Sequence, residues 1–417
     1  MVDYPNKLNI IFDKLLINNI KPIIIGGYVR DFLLKIESKD IDVELYGINS
    51  FSKLENILEE FGDVNSVGKS FGVCKLRVDD LDIDFSFPRS DSKIDKGHKG
   101  FEIKVDSSLN FKTATSRRDF TINAIGYDIK TNKILDPFNG REDLKNKILK
   151  AVDIVKFQED PLRVLRAVQF CSRFNLSIDN ELFVVCKRMI KESILDELPK
   201  ERIFIEIKKL LLKSTTPSLG LKLLNSLDGF NYFTEFKNID VQNLENIYKA
   251  VDTMSSLKTQ DSRTNTILML AALCYQLALS ECETFLSKLS NDKNLFAKVL
   301  SLLKHQNDIN FNLFSDYDIY ILATKVTIEE FVLFSLAKSQ TKIESKNINN
   351  LKTRAKELGV FHQEAKAVVQ GKDIISLGIK PSKEFSIILD RAYRAQISGN
   401  FKTKKEAYAW LKRELFT

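Results

Sequence analysis

No apolar run in the 417 residues is long enough to cross a membrane, and the opening MVDYPNKLNI lacks the basic start and apolar stretch of a secretion signal. A cytoplasmic protein with no membrane partner is therefore expected. Cysteine is scarce: Cys74, Cys171, Cys186, Cys274 and Cys282 are odd in number and form no C-x-x-C pair. They read as buried thiols in a reducing compartment, which argues against a disulfide framework and a structural zinc site. Histidine is scarcer still. His98, His305 and His362 stand alone, none followed by aspartate, and His305 with Asp308 offers too few ligands for a metal centre. The P-loop signature G-x-x-x-x-G-K-[ST] is also absent. Proline is rare between 162 and 380, which suits a long succession of helices.

What remains is the balance of a folded protein, with 44% hydrophobic and 29% charged residues over a length that implies two to four domains. Net charge is +7 and uneven: residues 371–417 hold ten Lys/Arg against five Asp/Glu. Two readings of that tail stand side by side. It is a solvated helical surface, or it contacts a phosphate backbone, with Lys402, Lys404 and Lys405 as the candidates. Up to about residue 150, strand-like and helix-like segments alternate. Beyond it, stretches such as IFIEIKKLLLK and NTILMLAALCYQLALS carry helical spacing. The expected architecture is an α/β head followed by an all-α remainder, with no internal repeat.

Chemistry concentrates in the head. Ile23 to Ile25 read as a buried strand, Gly26-Gly27 as a tight turn, and Tyr28 to Lys35 as a helix. Backbone amides at such a turn are natural phosphate ligands, because no side chain blocks approach. KDIDVELY follows, where period two sets Asp40, Asp42 and Glu44 on one face and Ile41, Val43 and Leu45 in the core. In VCKLRVDDLDIDFSF, Asp79-Asp80 reads as a hairpin turn, with Leu81, Ile83, Phe85 and Phe87 on one face and Asp82 and Asp84 on the other. These acids are an exposed sheet face, or they converge with Asp40 and Asp42 on divalent cations. Magnesium suits such oxygen ligands and bridges to substrate phosphates.

GGYVRD, KDIDVE, SRRDFTINAIGYD, LDPFNGREDL and EDPLRVLRAVQF occur in that order. The set resembles the class II tRNA nucleotidyltransferase and bacterial poly(A) polymerase family, within the polymerase-β-like superfamily. The tail, GKDIISLGIKPSKEFSIILDRAYRAQISGNFKTKKEAYAWLK, is similar to the C-terminal segment of many CCA-adding members. The resemblance implies a mixed-sheet head over 1–150, a helical neck over 151–215, a helical body over 216–345 and a tRNA-binding tail over 346–417.

It further implies that Asp40 and Asp42 bind two Mg2+ ions and that Asp84 has a catalytic role. Gly26, Gly27 and Arg30 match positions that hold the nucleotide's phosphates and sugar, although Arg30 also reads as an ion-pair partner of Asp31 or Glu37. Arg118 matches a nucleotide-contacting arginine, with Arg117, Asp119 and Asn123 shaping the same pocket; Asp119 as a helix starter is the alternative. Asp136 is expected to form a turn.

Asp160-Pro161 opens a helix on which Asp160, Arg163 and Arg166 lie along one side. The family reading makes Asp160 and Arg163 an amino-acid template. Asp160 accepts from the exocyclic amino group of C or A, and Arg163 donates to a ring nitrogen. G and U present a carbonyl there and leave the site's polar groups unpaired. Gln169 stands where many members have an arginine, so no phosphate-holding role is assigned to it. His98, in the family's flexible region, is not expected to act as a base. The implied reaction adds C, C and A to tRNA from CTP and ATP, with no DNA partner. CC-only addition, A-only addition, poly(A) synthesis and an inactive RNA-binding module are the alternatives.

Overall fold

A computed structural model describes residues 2–65, 72–93, 101–381 and 384–416. The chain divides into two compact units, Met1–Lys237 and Asn238–Thr417.

The first unit begins with α1 (Leu8–Ile17), β1 (Lys21–Ile25), α2 (Gly27–Leu33), β2 (Ile41–Tyr46), α3 (Phe51–Leu58), β3 (Asp63–Asn65), β4 (Val73–Val78) and β5 (Leu81–Ser86). A two-stranded ribbon, β6 (Arg89–Lys93) and β7 (Phe101–Val105), leads to α4 (Phe111–Thr115), β8 (Gly126–Asp128) and β9 (Lys133–Leu135). Seven strands form one mixed sheet in the order β3-β4-β5-β2-β1-β8-β9. Within this sheet β2 and β5 pair in parallel, and their register sets Asp42 beside Asp84. Asp79, at φ 53°, makes the two-residue turn between β4 and β5, as its Asp-Asp sequence predicts. Ile41, Val43, Leu45, Ile83, Phe85 and Phe87 are buried, as the alternation requires.

Helical spacing then takes over in α5 (Gly140–Lys145), α6 (Ile154–Phe157), α7 (Leu162–Phe174), α8 (Asn180–Lys191), α9 (Lys200–Lys213) and α10 (Pro217–Ser226). Asp136 accepts from the amides of Gly140 and Arg141, the turn-forming role expected of it. Helix α7 packs against both α9 and α10. Gly220 allows the closest approach, since a Cβ there would lie 2.4 Å from Leu210 and 3.1 Å from the Val168 carbonyl.

The second unit is helical throughout its described residues: α11 (Val241–Ser256), α12 (Ser262–Cys274), α13 (Leu279–Leu289), α14 (Lys293–Lys304), α15 (Asp316–Ala323), α16 (Ile328–Lys338), α17 (Lys342–Glu357), α18 (Gly371–Ser376), α19 (Glu384–Ile397) and α20 (Lys404–Phe416). Every residue of α12 from Asn265 to Cys274 is buried, and α11, α14 and α16 surround it. The last three helices share a small core of Ile374, Ala392, Ala395, Phe401, Ala407 and Leu411. All five cysteines are buried and outside any disulfide, and among the described residues no helix is long and apolar enough to cross a membrane.

Candidate nucleotidyl-transfer site

The site is built from the Gly-Gly turn outward. Gly26 has φ 68° and ψ −121°, a conformation that side chains disfavour. A Cβ at Gly26 would also meet the Nη1 of Arg118 at 2.7 Å. The turn therefore lets a guanidinium lie directly against the backbone where β1 passes into α2. Arg118 finds no partner for its Nε among the described residues. Burial lowers its pKa and so does neighbouring Arg117, while Glu44, Asp42 and Asp119 oppose them. A desolvated cation with an unused donor suits an anionic ligand.

Across from it lies the carboxylate face. Asp40 is exposed just before β2, and Asp42 is half-buried on it. Burial pushes the Asp42 carboxyl above its ordinary pKa; Asp84 and Asp40 add to the rise, whereas Arg118 and Lys75 oppose it. Asp84 is not a bare third acid. Lys75, its antiparallel neighbour on β4, places Nζ 2.9 Å from Asp84 Oδ1. Among the described residues no three acidic, histidine or cysteine side chains are grouped closely enough to hold a metal. Lys75 thus pairs with Asp84 beside the face that carries Asp40 and Asp42. The position of Lys75 was legible, because it and Asp84 are equidistant from the Asp79-Asp80 turn.

Glu44 shares a face with Asp42, as the alternation predicts, and is fully buried, because Tyr46 and Arg117 cover it. Alternation alone does not reveal what covers the second face of a sheet.

Arg30 is 5% exposed. Its Nε and Nη2 donate to Asp31, its Nη1 donates to Asn123 at 2.6 Å, and its guanidinium stacks over Phe174 at 4.4 Å. The Asp31 partner was foreseen, but the pair is interior rather than on a helix surface. Arg30 thus braces α2 against the segment carrying Asn123 from the interior. Asn123 in turn donates to Asp119 Oδ1 at 2.9 Å, and Arg166 donates to Asp119 Oδ2 at 2.7 Å. Arg166 Nη1 lies 4.0 Å from Glu206 on α9. Burial raises the Asp119 pKa, but Arg166 and the Asn123 and Arg166 hydrogen bonds outweigh it, so the carboxyl titrates below its usual range. A continuous polar chain thereby ties α2 through the 3-10 turn at Thr121–Asn123 to α7 and α9. Asp119 starts no long helix; it is the hub of this chain.

Arg163 donates from Nη1 to the Lys156 carbonyl and from Nη2 to the Arg117 carbonyl, both at 2.8 Å. Asp160 accepts from the Leu162 amide at 3.1 Å, and its other oxygen is 3.4 Å from Arg202. Helix α7 starts at Leu162, one residue later than Asp160-Pro161 implied, with Pro161 as its cap. The base-reading candidates therefore stand at one helix end, pinned to the segment that carries Arg117 and Arg118. Gln169 is 1% exposed and its Nε2 has no partner among the described residues. His98 lies outside the described residues. In the tail, Lys402, Lys404 and Lys405 are all exposed, and Lys404 Nζ lies 2.9 Å from Asp373, joining α20 to α18.

Residues 23–150 match the Poly A polymerase head domain family. The chain is 33% identical over 315 residues to the CCA-adding enzyme of Francisella tularensis subsp. novicida, covering 70% of this chain and 81% of that protein. It is 34% identical over 196 residues to the CCA-adding enzyme of Coxiella burnetii, covering 47% and 50%. Among solved structures, the Bacillus stearothermophilus CCA-adding enzyme in complex with CTP aligns with a TM-score of 0.74 at 20% identity, over 99% of this chain and 98% of that one. The Thermotoga maritima CCA-adding enzyme complexed with tRNA_CCA aligns at 0.67 and 20% identity, over 99% and 97%. The structural likenesses give the fold, and the extended identity to the Francisella protein goes further: this chain belongs to the CCA-adding enzyme family, the class II tRNA nucleotidyltransferases.

Proposed function

We propose that this protein adds the 3′-terminal C, C and A to tRNA from CTP and ATP without a nucleic-acid template. The observation that carries the reading is the juxtaposition at the head: Arg118 against Gly26, with its Nε unpartnered and Asp42 within its field. One side of that arrangement attracts a triphosphate and the other a cation.

The donor set fits a hard divalent ion. Asp40 and Asp42 offer oxygen ligands only, and a cation would offset both the burial and the carboxylate repulsion that raise Asp42. Asp40 and Asp42 would hold magnesium, which supplies activation of the primer 3′-hydroxyl and charge neutralisation at the triphosphate. The protein's own groups do the rest. Arg118 holds phosphate oxygens, and the Gly26-Gly27 turn lets them approach the backbone. Lys75 keeps Asp84 paired, so that Asp42 is not left beside a second bare carboxylate.

Base choice falls to Asp160 and Arg163. The hydrogen bonds of Arg163 to two main-chain carbonyls fix its plane, and each Asp160 oxygen keeps a lone pair for an amino group. Gln169 is too deeply buried to reach a phosphate. The exposed Lys402 and Lys405 are the tail's candidates for the tRNA backbone.

The test supplies tRNA ending before CCA with one nucleotide at a time. The expected products are two C residues from CTP alone, then one A when ATP is added, then a stop. Extension restricted to tRNA already ending in CC would reassign the protein to A addition, and two C residues with no following A to CC addition. A long A tract would reassign it to poly(A) synthesis, and no incorporation to RNA binding alone.

A further inference from the structure

Glu44 is a fully buried carboxylate that the reaction described above does not use. It stands on β2 one step beyond Asp42 on the same face. The Tyr46 hydroxyl donates to its Oε2 at 2.6 Å. Its Oε1 lies 3.5 Å from Arg117 Nη2 yet accepts no hydrogen bond among the described residues. Arg118 is drawn to it as well. Removing a carboxylate from water costs several kcal/mol, so its retention points to geometry rather than to stability.

Two adjacent guanidinium groups repel. The other carboxylates acting on Arg118 are Asp42, which is assigned to the cation, and Asp119, which Arg166 already binds. Without Glu44, Arg118 is left to settle on Asp42.

We propose that Glu44, held by Tyr46, is a positioning residue that pairs with Arg117, keeps Arg118 off Asp42 and so aligns both arginines for the triphosphate. This rests on the nucleotidyl-transfer reading of the site. Glu44→Gln keeps the shape and can still accept from Tyr46, but it removes the charge. We expect kcat for CTP and ATP incorporation to fall about tenfold, while nucleotide KM changes less than about twofold, since phosphate affinity survives and alignment does not. Arg117→Ala combined with Glu44→Gln should lose no more than the worse single variant, because one acts through the other.

Unchanged kcat in folded Glu44→Gln overturns the proposal, as does a rise in KM at constant kcat or strictly additive losses. If Glu44→Gln fails to fold, Tyr46→Phe frees Oε2 and should lower kcat with the same non-additivity towards Arg117→Ala; additivity there also overturns it. Wild-type protein that incorporates no nucleotide would remove the nucleotidyl-transfer reading and this inference together. An active wild type with an indifferent Glu44→Gln removes this inference alone.

Discussion

Arg30, Asp31, Glu44, Asp119 and Glu206 are each less than a tenth exposed in the first unit, whereas in the second unit α12 is buried from Asn265 to Cys274 without a single charge. Among the described residues, Glu330 is the second unit's one buried charged side chain, and it lies 3.6 Å from Lys298. Other ion pairs of that unit stay near solvent, as in Arg354 with Asp316 and Arg394 with Asp390. Exposed pairs of this kind contribute little to stability, because water screens them. The interior of the second unit is therefore a packing problem, while that of the first is an electrostatic one. Charge is buried where the Gly-Gly turn, the Arg117-Arg118 segment and α7 must keep a fixed geometry.

The sharpest way to break that contrast is at Asp42. Asp42→Ala should lower incorporation about a thousandfold or more while leaving the thermal midpoint close to wild type, since the residue faces the site rather than the core. Near-normal turnover would remove Asp42 from the cation site.

A matched pair tests the two interiors. Asp119→Ala strands Arg166 and Asn123 in the first unit and should cost about 3–5 kcal/mol, with activity falling beyond what unfolding explains. Leu270→Ala, in the apolar centre of α12, should cost about 2–5 kcal/mol but leave kcat unchanged in the folded fraction. Denaturant titration and activity at a permissive temperature separate the two. The pH dependence follows from the sign of the shift. The folded Asp119 carboxyl titrates below its unfolded value, so its stabilisation is complete above about pH 4 and is lost as pH falls through the folded value. The stability gap between wild type and Asp119→Asn should accordingly narrow on acidification. A gap that widens would overturn the hub assignment.

Arg163→Ala should reduce use of both CTP and ATP by about ten- to a hundredfold and relax rejection of UTP and GTP. Unchanged selectivity would mean that the two main-chain carbonyls bound by Arg163 are its whole role.

Much of this was legible in the sequence where one local rule decided the outcome. The Asp79-Asp80 hairpin, the buried alternation of Ile41, Val43 and Leu45, and the turn at Asp136 each follow from neighbouring residues. Arg30 and Glu44 were harder, for a shared reason. Their partners Asn123 and Arg117 are distant along the chain, and charge in a sequence reads as solvent-facing until the covering element is known. Asp119 lay between, since its motif was evident but its link to Arg166 required the packing of α7.

The smallest effect is expected in the tail, where the three lysines are no longer equivalent. Lys404 holds Asp373 across the small core shared by α18, α19 and α20, so its removal should loosen the tail itself. All three are exposed, and Lys402 and Lys405, unlike Lys404, are not engaged with Asp373. The double variant Lys402→Ala/Lys405→Ala should weaken tRNA binding a fewfold and reduce the slope of log affinity against log salt by about one to two, while nucleotide KM holds. Lys404→Ala should instead lower the tail's protection in hydrogen exchange, with a smaller change in salt slope. If the double variant leaves the slope untouched, those lysines are a solvated surface; if Lys404→Ala alone flattens it, the ion pair with Asp373 gives way when RNA binds.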